Sequence, residues 1–228
     1  MGKNIALNFS DNDTNVVIFN KSKNKINDLI HESSKKNISG FTKLDEFVKN
    51  IETPRKILLM VPSGEATKSV ADELLGMLDN DDILIDGGNS FYKDSVELGN
   101  KCKEKKIRFV GMGVSGGETG ARHGPALMLG TDDTISKNLL SMIKSISAKS
   151  SYGDCVGVYK GYGTGHFIKM LHNGIEYAEM QILAESYSIL KSSNLSNLEI
   201  SDFFKSLKEK NQSSYLIEIS SEIIKKKA

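Results

Sequence analysis

Cysteine is scarce in this 228-residue sequence: Cys102 and Cys155 stand far apart and without metal-ligand spacing. That excludes a disulfide framework and a zinc-type constellation, and it suits a reducing cytosol. Charge of one sign is lacking too. Thirty basic residues face 29 acidic ones for a net of +1, so no field for nucleic acid or a membrane surface is implied. The lysines are spread rather than blocked, and Lys225-Lys226-Lys227 reads as a solvated end. No apolar run approaches the roughly 18 residues of a membrane span. The first residues lack the charged-then-apolar pattern of a signal peptide. There is no internal repeat and no low-complexity linker. What remains is a chain long enough to bury a sizeable core in one or two domains.

Within those bounds, short β-rich runs alternate with helical stretches. Strands are expected over residues 16–20, 56–61, 83–86, 107–111, 126–129 and 156–160. Helical patterns lie between them, over 23–33, 66–78, 91–105 and 134–146. Such alternation implies βαβ units and a mostly parallel, doubly wound α/β sheet. After Gly165 the strand signals stop. A long helix is expected over 166–191, then shorter ones over 198–208 and 215–226. The expected division is therefore an α/β domain at 1–164 and an all-helical segment at 165–228.

Ligands of doubly wound sheets bind beyond the carboxyl ends of the strands. Three loops here leave such ends. Asp86-Gly87-Gly88-Asn89-Ser90 carries two glycines, so its backbone can approach a ligand. Gly113-Val114-Ser115-Gly116-Gly117 sets a hydroxyl beside two amides, suited to an anion such as a carboxylate. Asn20-Lys21-Ser22 ends the first visible strand, where a carboxylate would hold the ribose of NAD and a cation the 2′-phosphate of NADP. Lys21 stands there and no carboxylate does, which favours NADP.

The long helix carries the strongest signal. Lys169, His172, Asn173 and Glu176 recur at i, i+3, i+4 and i+7, within an arc of roughly 100°. Phe167, Ile168, Met170, Leu171 and Ile175 surround them, so the helix is expected to be buried, with an amine and a carboxylate on one face. Such groups are costly in a core unless they are paired or have work to do. Any one of these residues alone reads as bland: His172 as a hydrogen-bonded core histidine, Tyr177 as packing, Arg122 and His123 as surface. The stripe together reads as the wall of a reaction site.

Asp86-Gly87-Gly88-Asn89-Ser90, the run from Gly113 to Arg122, and the run Lys169-Met-Leu-His-Asn-Gly-Ile-Glu-Tyr177 resemble the decarboxylating 6-phosphogluconate dehydrogenases. The resemblance covers essentially the whole chain, including Glu52-Thr-Pro-Arg55, Glu179-Met-Gln181 and Ser213-Ser-Tyr-Leu-Ile-Glu-Ile219. It implies a Rossmann-like domain followed by a helical domain, a cytoplasmic homodimer, NADP as cofactor and 6-phosphogluconate as substrate. Lys169 would be the general base at the substrate 3-hydroxyl, a role that needs a lysine lowered by burial. Glu176 would protonate the enediol left after decarboxylation. Asn89, His172 and Asn173 would hold hydroxyls. Ser115, Gly116 and Gly117 would hold the carboxylate, and Tyr177 would reach the phosphate. Gly2, Asn20, Lys21, Ser22, Val61 and Asn89 would lie at the cofactor.

The chain departs from the family pattern in three places. The family opens with a strand and a Gly-x-Gly-x-x-Gly-like turn that receives the pyrophosphate. Met1-Gly2 aligns with the end of that turn, so only Gly2 of the fingerprint is present, and residues 4–9 continue the first helix. The absent strand is central in such sheets, so its two neighbours are expected either to close up on each other or to leave the domain destabilised. Pro62 follows Val61 where the family carries lysine. The helical segment reaches only the family's first helices, which leaves its apolar helix partly uncovered. Two other readings remain. One is a β-hydroxyacid dehydrogenase such as 3-hydroxyisobutyrate dehydrogenase, which shares the Ser-Gly-Gly loop and the Lys-x-x-x-Asn pair. The other is a non-catalytic truncated relic.

Overall fold

The computed structural model describes residues 1–209 and 214–226; Ser213 and Lys227, named above, lie outside them. The chain divides into two compact units, Met1–Lys169 and Met170–Ala228.

The first unit alternates helix and strand in chain order: α1 (Gly2–Asp11), β1 (Val16–Phe19), α2 (Lys23–Glu32), β2 (Ile38–Phe41), α3 (Leu44–Lys49), β3 (Lys56–Leu59), α4 (Glu65–Leu75), β4 (Ile83–Asp86), α5 (Tyr92–Glu104), β5 (Arg108–Ser115), α6 (Gly117–His123), β6 (Ala126–Thr131), α7 (Lys137–Ile146), the short hairpin β7 (Lys149–Ser150) and β8 (Gly153–Asp154), and β9 (Val156–Lys160). Helix α8 (Thr164–Ser192) begins here, and α9 (Asn197–Glu209) and α10 (Tyr215–Lys226) follow it.

Strands β3-β4-β5-β6-β9 form one sheet, parallel except for the antiparallel β5–β6 pair. Strand β4 is buried at every position, as a central parallel strand covered on both faces must be. One apolar layer gathers Leu74, Leu84, Cys102 and Phe109. A second, under α1 and α7, gathers Ile5, Ile85, Met112 and Ile143. Burial, reinforced by the Asp133 carboxylate, pushes the Cys102 thiol up to about 12. Helix α1 is tied down by Asn8, whose amide donates to the carbonyls of Ala121 (3.2 Å) and Ile146 (3.0 Å). Arg55 pins the entry of β3: its Nη1 lies 2.8 Å from the buried Asp82 carboxylate, which also accepts from the Arg55 N–H at 2.6 Å.

Strands β1 and β2 stand apart as their own parallel pair. The two strands expected to flank the absent one, β1 and β3, have not closed up. A cavity of about 1050 Å³ is lined by both. The first of the two expected outcomes is therefore corrected. Each strand is already packed from its own side, β1 by α1 and α3 and β3 by β4 and the layer around Ile57, so closing the gap would empty those contacts.

In the second unit, α9 and α10 pack on each other around Ser201, whose hydroxyl donates to the Ser221 carbonyl at 2.9 Å, with Ile200 and Phe204 fully buried. The expectation that α8 is buried fails. Its buried residues are Gly165 and His166, at its start. Ile175, Ile182 and Ile189 are each about two-thirds exposed, at 67%, 63% and 66%. An apolar girth reports a demand for partners, and α9 and α10 spend their apolar faces on each other.

Candidate active site

Glycine decides where α8 begins. A Cβ on Gly165 would lie 2.2 Å from the carbonyl oxygens of both Gly111 and Met128, and one on Gly130 would lie 2.4 Å from the Gly165 nitrogen. A Cβ on Gly113 would lie 2.6 Å from the Lys169 Cβ. Helix backbone therefore rests directly on the backbone of β5 and β6, closer than any side chain permits. One turn after Gly165, this seat brings Lys169 over the end of β5. There its Nζ donates to Ser115 Oγ at 3.0 Å.

Ser115 is buried and is the last residue of β5, so the loop expected from Gly113 begins three residues later, at Gly116. Gly116 (φ 130°) and Gly117 (φ 61°) turn the chain through the left-handed region that only glycine enters freely, and α6 starts at once. Both are exposed beside the buried hydroxyl. An amine, a hydroxyl and two open amides thus lie together at one strand end, an arrangement that can bind an oxyanion and exchange a proton with a neighbouring hydroxyl.

The Asp86 loop lies at the end of β4. Buried Asp86 folds the turn by accepting from the Gly88 N–H at 3.0 Å, and this leaves Asn89 exposed. The Ser90 hydroxyl is buried with no hydrogen-bond partner among the described residues. His166, which sequence reasoning missed, fastens this loop to α8. Its Nε2 lies 3.1 Å from the Gly88 carbonyl, and its Nδ1 lies 2.6 Å from Ser95 Oγ. A carbonyl only accepts, so Nε2 carries the proton and Nδ1 accepts from the Ser95 hydroxyl. Burial holds His166 below the ordinary histidine range, with the Asp86 charge and the Gly88 carbonyl pulling the other way. The available signal was its place next to Gly165, in a chain whose facing strands carry glycine at 111, 113 and 130.

In the second unit, His172 Nδ1 lies 3.5 Å from Glu176 Oε2, one turn apart, and both side chains are about 38% exposed. His172 is therefore no core histidine; that place belongs to His166. Asn173 is half-buried, and Tyr177 is 68% exposed. Among the cofactor candidates, Asn20 folds back on the end of β1, its Oδ1 accepting from the Ser22 N–H at 2.9 Å, and Lys21 is exposed. Gly2 lies against Met60 at the end of β3, next to Val61. No cluster of three or more potential metal ligands occurs among the described residues, and no described helix is long and apolar enough to cross a membrane.

A mostly parallel Rossmann-like sheet, glycine-bearing loops at its strand ends and a following helical segment define the class of nucleotide-binding α/β folds. The model of the NAD binding domain of 6-phosphogluconate dehydrogenase matches residues 1–159, and that of the family's C-terminal domain matches residues 165–228. The chain belongs to the 6-phosphogluconate dehydrogenase family. It is 45% identical over 228 residues to a 6-phosphogluconate dehydrogenase, decarboxylating, of Staphylococcus epidermidis and 44% identical to one of Staphylococcus aureus, covering 99% of this chain and 49% of each relative. The Plasmodium falciparum 6-phosphogluconate dehydrogenase, solved in apo form and with NADP+ and with 6-phosphogluconate, superposes with a TM-score of 0.89 at 33% identity, over 98% of this chain and 49% of that one. A 3-hydroxyisobutyrate dehydrogenase of Mycobacterium tuberculosis shares the fold, with a TM-score of 0.74 at 17% identity over 96% and 70% of the two chains. The chain thus spans about half the length of the curated relatives it matches.

Proposed function

We propose that this chain carries the base-bearing portion of a decarboxylating 6-phosphogluconate dehydrogenase, which converts 6-phosphogluconate to ribulose 5-phosphate in the pentose phosphate pathway. The observation that carries the reading is the Lys169 amine held 3.0 Å from Ser115 Oγ, beside the Gly116-Gly117 turn. Exposed Lys21 at the end of β1, with no carboxylate in Asn20-Lys21-Ser22, fits the 2′-phosphate of NADP. Gly2, Asn20, Ser22, Val61 and Asn89 complete the cofactor contacts in this reading. NADP, when bound, supplies the hydride acceptor at C3.

Lys169, neutral when substrate arrives, takes the proton of the 3-hydroxyl. The β-keto acid so formed loses carbon dioxide, and Glu176 delivers a proton to C1 of the enediol. Ser115 and the amides of Gly116 and Gly117 orient the carboxylate. Asn89, His172 and Asn173 hold hydroxyls, and Tyr177 reaches the phosphate. In this reading the Rossmann-like domain is residues 1–164 and the helical part 165–228, the setting is the cytosol, and the whole protein is a homodimer.

The test compares NADP reduction by this chain with 6-phosphogluconate and with 3-hydroxyisobutyrate, alongside calorimetry with NADP. Reduction that prefers 6-phosphogluconate and is lost in Lys169→Ala supports the reading. A folded chain that binds no NADP replaces it with the relic.

A further inference from the structure

One imidazole touches both ends of the segment that carries Asn89. Residues 88–95 leave the turn after β4 and enter the first turn of α5. The carbonyl of Gly88 opens the segment and accepts from His166 Nε2 at 3.1 Å. The hydroxyl of Ser95 closes it and donates to His166 Nδ1 at 2.6 Å. Both side chains are enclosed, Ser95 at 1% and His166 at 3% exposed. They lie over bare strand, since a Cβ on Gly111 would sit 3.2 Å from His166 Nδ1 and 3.5 Å from the Ser95 Cβ. Each ring nitrogen thus has its own partner inside the protein.

The start of α8 meets the segment twice more. The rings of Tyr92 and Phe167 stand edge to face, their centroids 5.3 Å apart. Gly163, just ahead of α8, leaves no room for a side chain: a Cβ there would lie 2.4 Å from the Tyr92 carbonyl oxygen. Gly163, His166 and Phe167 therefore form a seat for residues 88–95. Lys169 stands three positions beyond His166, on the same helix face. Asn89 adjoins the pinned carbonyl of Gly88, so its place relative to the amine is set across a single imidazole rather than along the intervening sequence.

We infer that His166 and Ser95 are positioning residues, which together hold Asn89 in register with the Lys169 amine. His166 acts through the Gly88 carbonyl, and Ser95 acts through His166. The inference rests on the proposed function for what the register serves. There Asn89 holds a substrate hydroxyl and the cofactor while Lys169 takes the proton, so hydride acceptor, C3 and base must reach one geometry together. Misplacement by about 1 Å at such a centre can cost about 10²-fold in rate. Packing alone would ask only that the two side chains fill space. A pin asks that the hydroxyl and the ring N–H be present.

The experiment follows amide exchange in the full chain for Ser95→Ala, Ser95→Thr and His166→Ala. The reporters are Gly87 and Gly88, whose N–H groups donate to the Leu59 carbonyl and to Asp86 Oδ1. Ile83 and Arg108, hydrogen-bonded at the opposite end of β4, are the internal standard. Ser95→Ala is expected to speed Gly88 about tenfold more than the standard. His166→Ala should speed it further, and Ser95→Thr, which keeps the hydroxyl, should restore it. Equal changes at reporters and standard, or none, reduce the pair to packing and overturn the inference, as does a Ser95→Thr that behaves like Ser95→Ala. Nitrogen NMR of the imidazole in the unaltered chain needs no variant to fold. It is expected to show the neutral ring protonated on Nε2, and a proton on Nδ1 overturns the inference. In turnover, Ser95→Ala should lower kcat for 6-phosphogluconate about tenfold with KM within about threefold, because the Ser115 turn is untouched. An unchanged kcat beside a loosened Gly88 overturns the positioning role. No turnover by the unaltered chain sinks the proposed function instead, and the exchange and tautomer readouts then decide the pin by themselves.

Discussion

Residues 164–169 and residues 170–192 belong to one helix, α8, and are built on opposite terms. In the first stretch Gly165 and His166 are buried, and the helix backbone touches strand backbone through Gly111, Gly113 and Gly130. In the second, large apolar side chains such as Leu171, Ile175 and Ile182 face outward. The difference teaches where the precision of the candidate base comes from. Lys169 is placed by a main-chain crossing and a hydrogen bond to Ser115, not by hydrophobic burial along the helix that carries it.

This contrast can be broken at either end. The largest effect is expected from Lys169→Ala, which should lower turnover of 6-phosphogluconate by about 10²–10⁴-fold with an unchanged circular-dichroism spectrum. Comparable turnover in that variant would falsify the assignment of the base. Next comes Gly165→Ala, whose methyl would meet two carbonyl oxygens at 2.2 Å. Overpacking of this kind should cost roughly 3 kcal/mol in urea unfolding, and an unchanged midpoint would mean that the crossing is loose.

His166→Ala strands the Ser95 hydroxyl and the Gly88 carbonyl, at about 2 kcal/mol. It should also remove a pH dependence. His166 titrates below its ordinary range because it is buried. The folded chain therefore binds fewer protons than the unfolded one as the solution is acidified. Stability should be complete above about pH 6.5 and fall as pH drops below it. An equally steep acid loss in His166→Ala would assign that slope to other groups. The smallest effect belongs to Ile175→Ser, within roughly 0.5 kcal/mol, because the side chain is already two-thirds exposed at 67%. A loss several times larger would show a partner for that face.

Much of this architecture is legible in the sequence where elements are long or apolar. Val16–Phe19, Ile83–Asp86 and Val156–Lys160 stand where β-branched runs announce them, and Tyr215–Lys226 coincides with its helical pattern. Strand β2 is not legible. Ile38-Ser-Gly-Phe41 lacks a β-branched run and becomes a strand through its pairing with β1. The six-residue α3 and the seven-residue α6 are too short for a period to show. At the site, the Lys169 stripe and the Ser-Gly-Gly turn were visible because their chemistry is local. The meeting of Lys169 with Ser115 was not, nor the clasp of His166 on Gly88, since both rest on glycines more than 30 residues away in sequence that matter only once the strands face the helix. The burial of α8 was misjudged because amphipathicity states what a helix wants, whereas exposure depends on what its neighbours already hold.

The bare crossing at Gly165 has a mechanical consequence. Side chains can swap rotamers and cushion a shift, but main chain against main chain has no such give. A helix seated that way can neither roll nor creep by a fraction of a turn without collision. The amine one turn on is therefore indexed like a key in its lock.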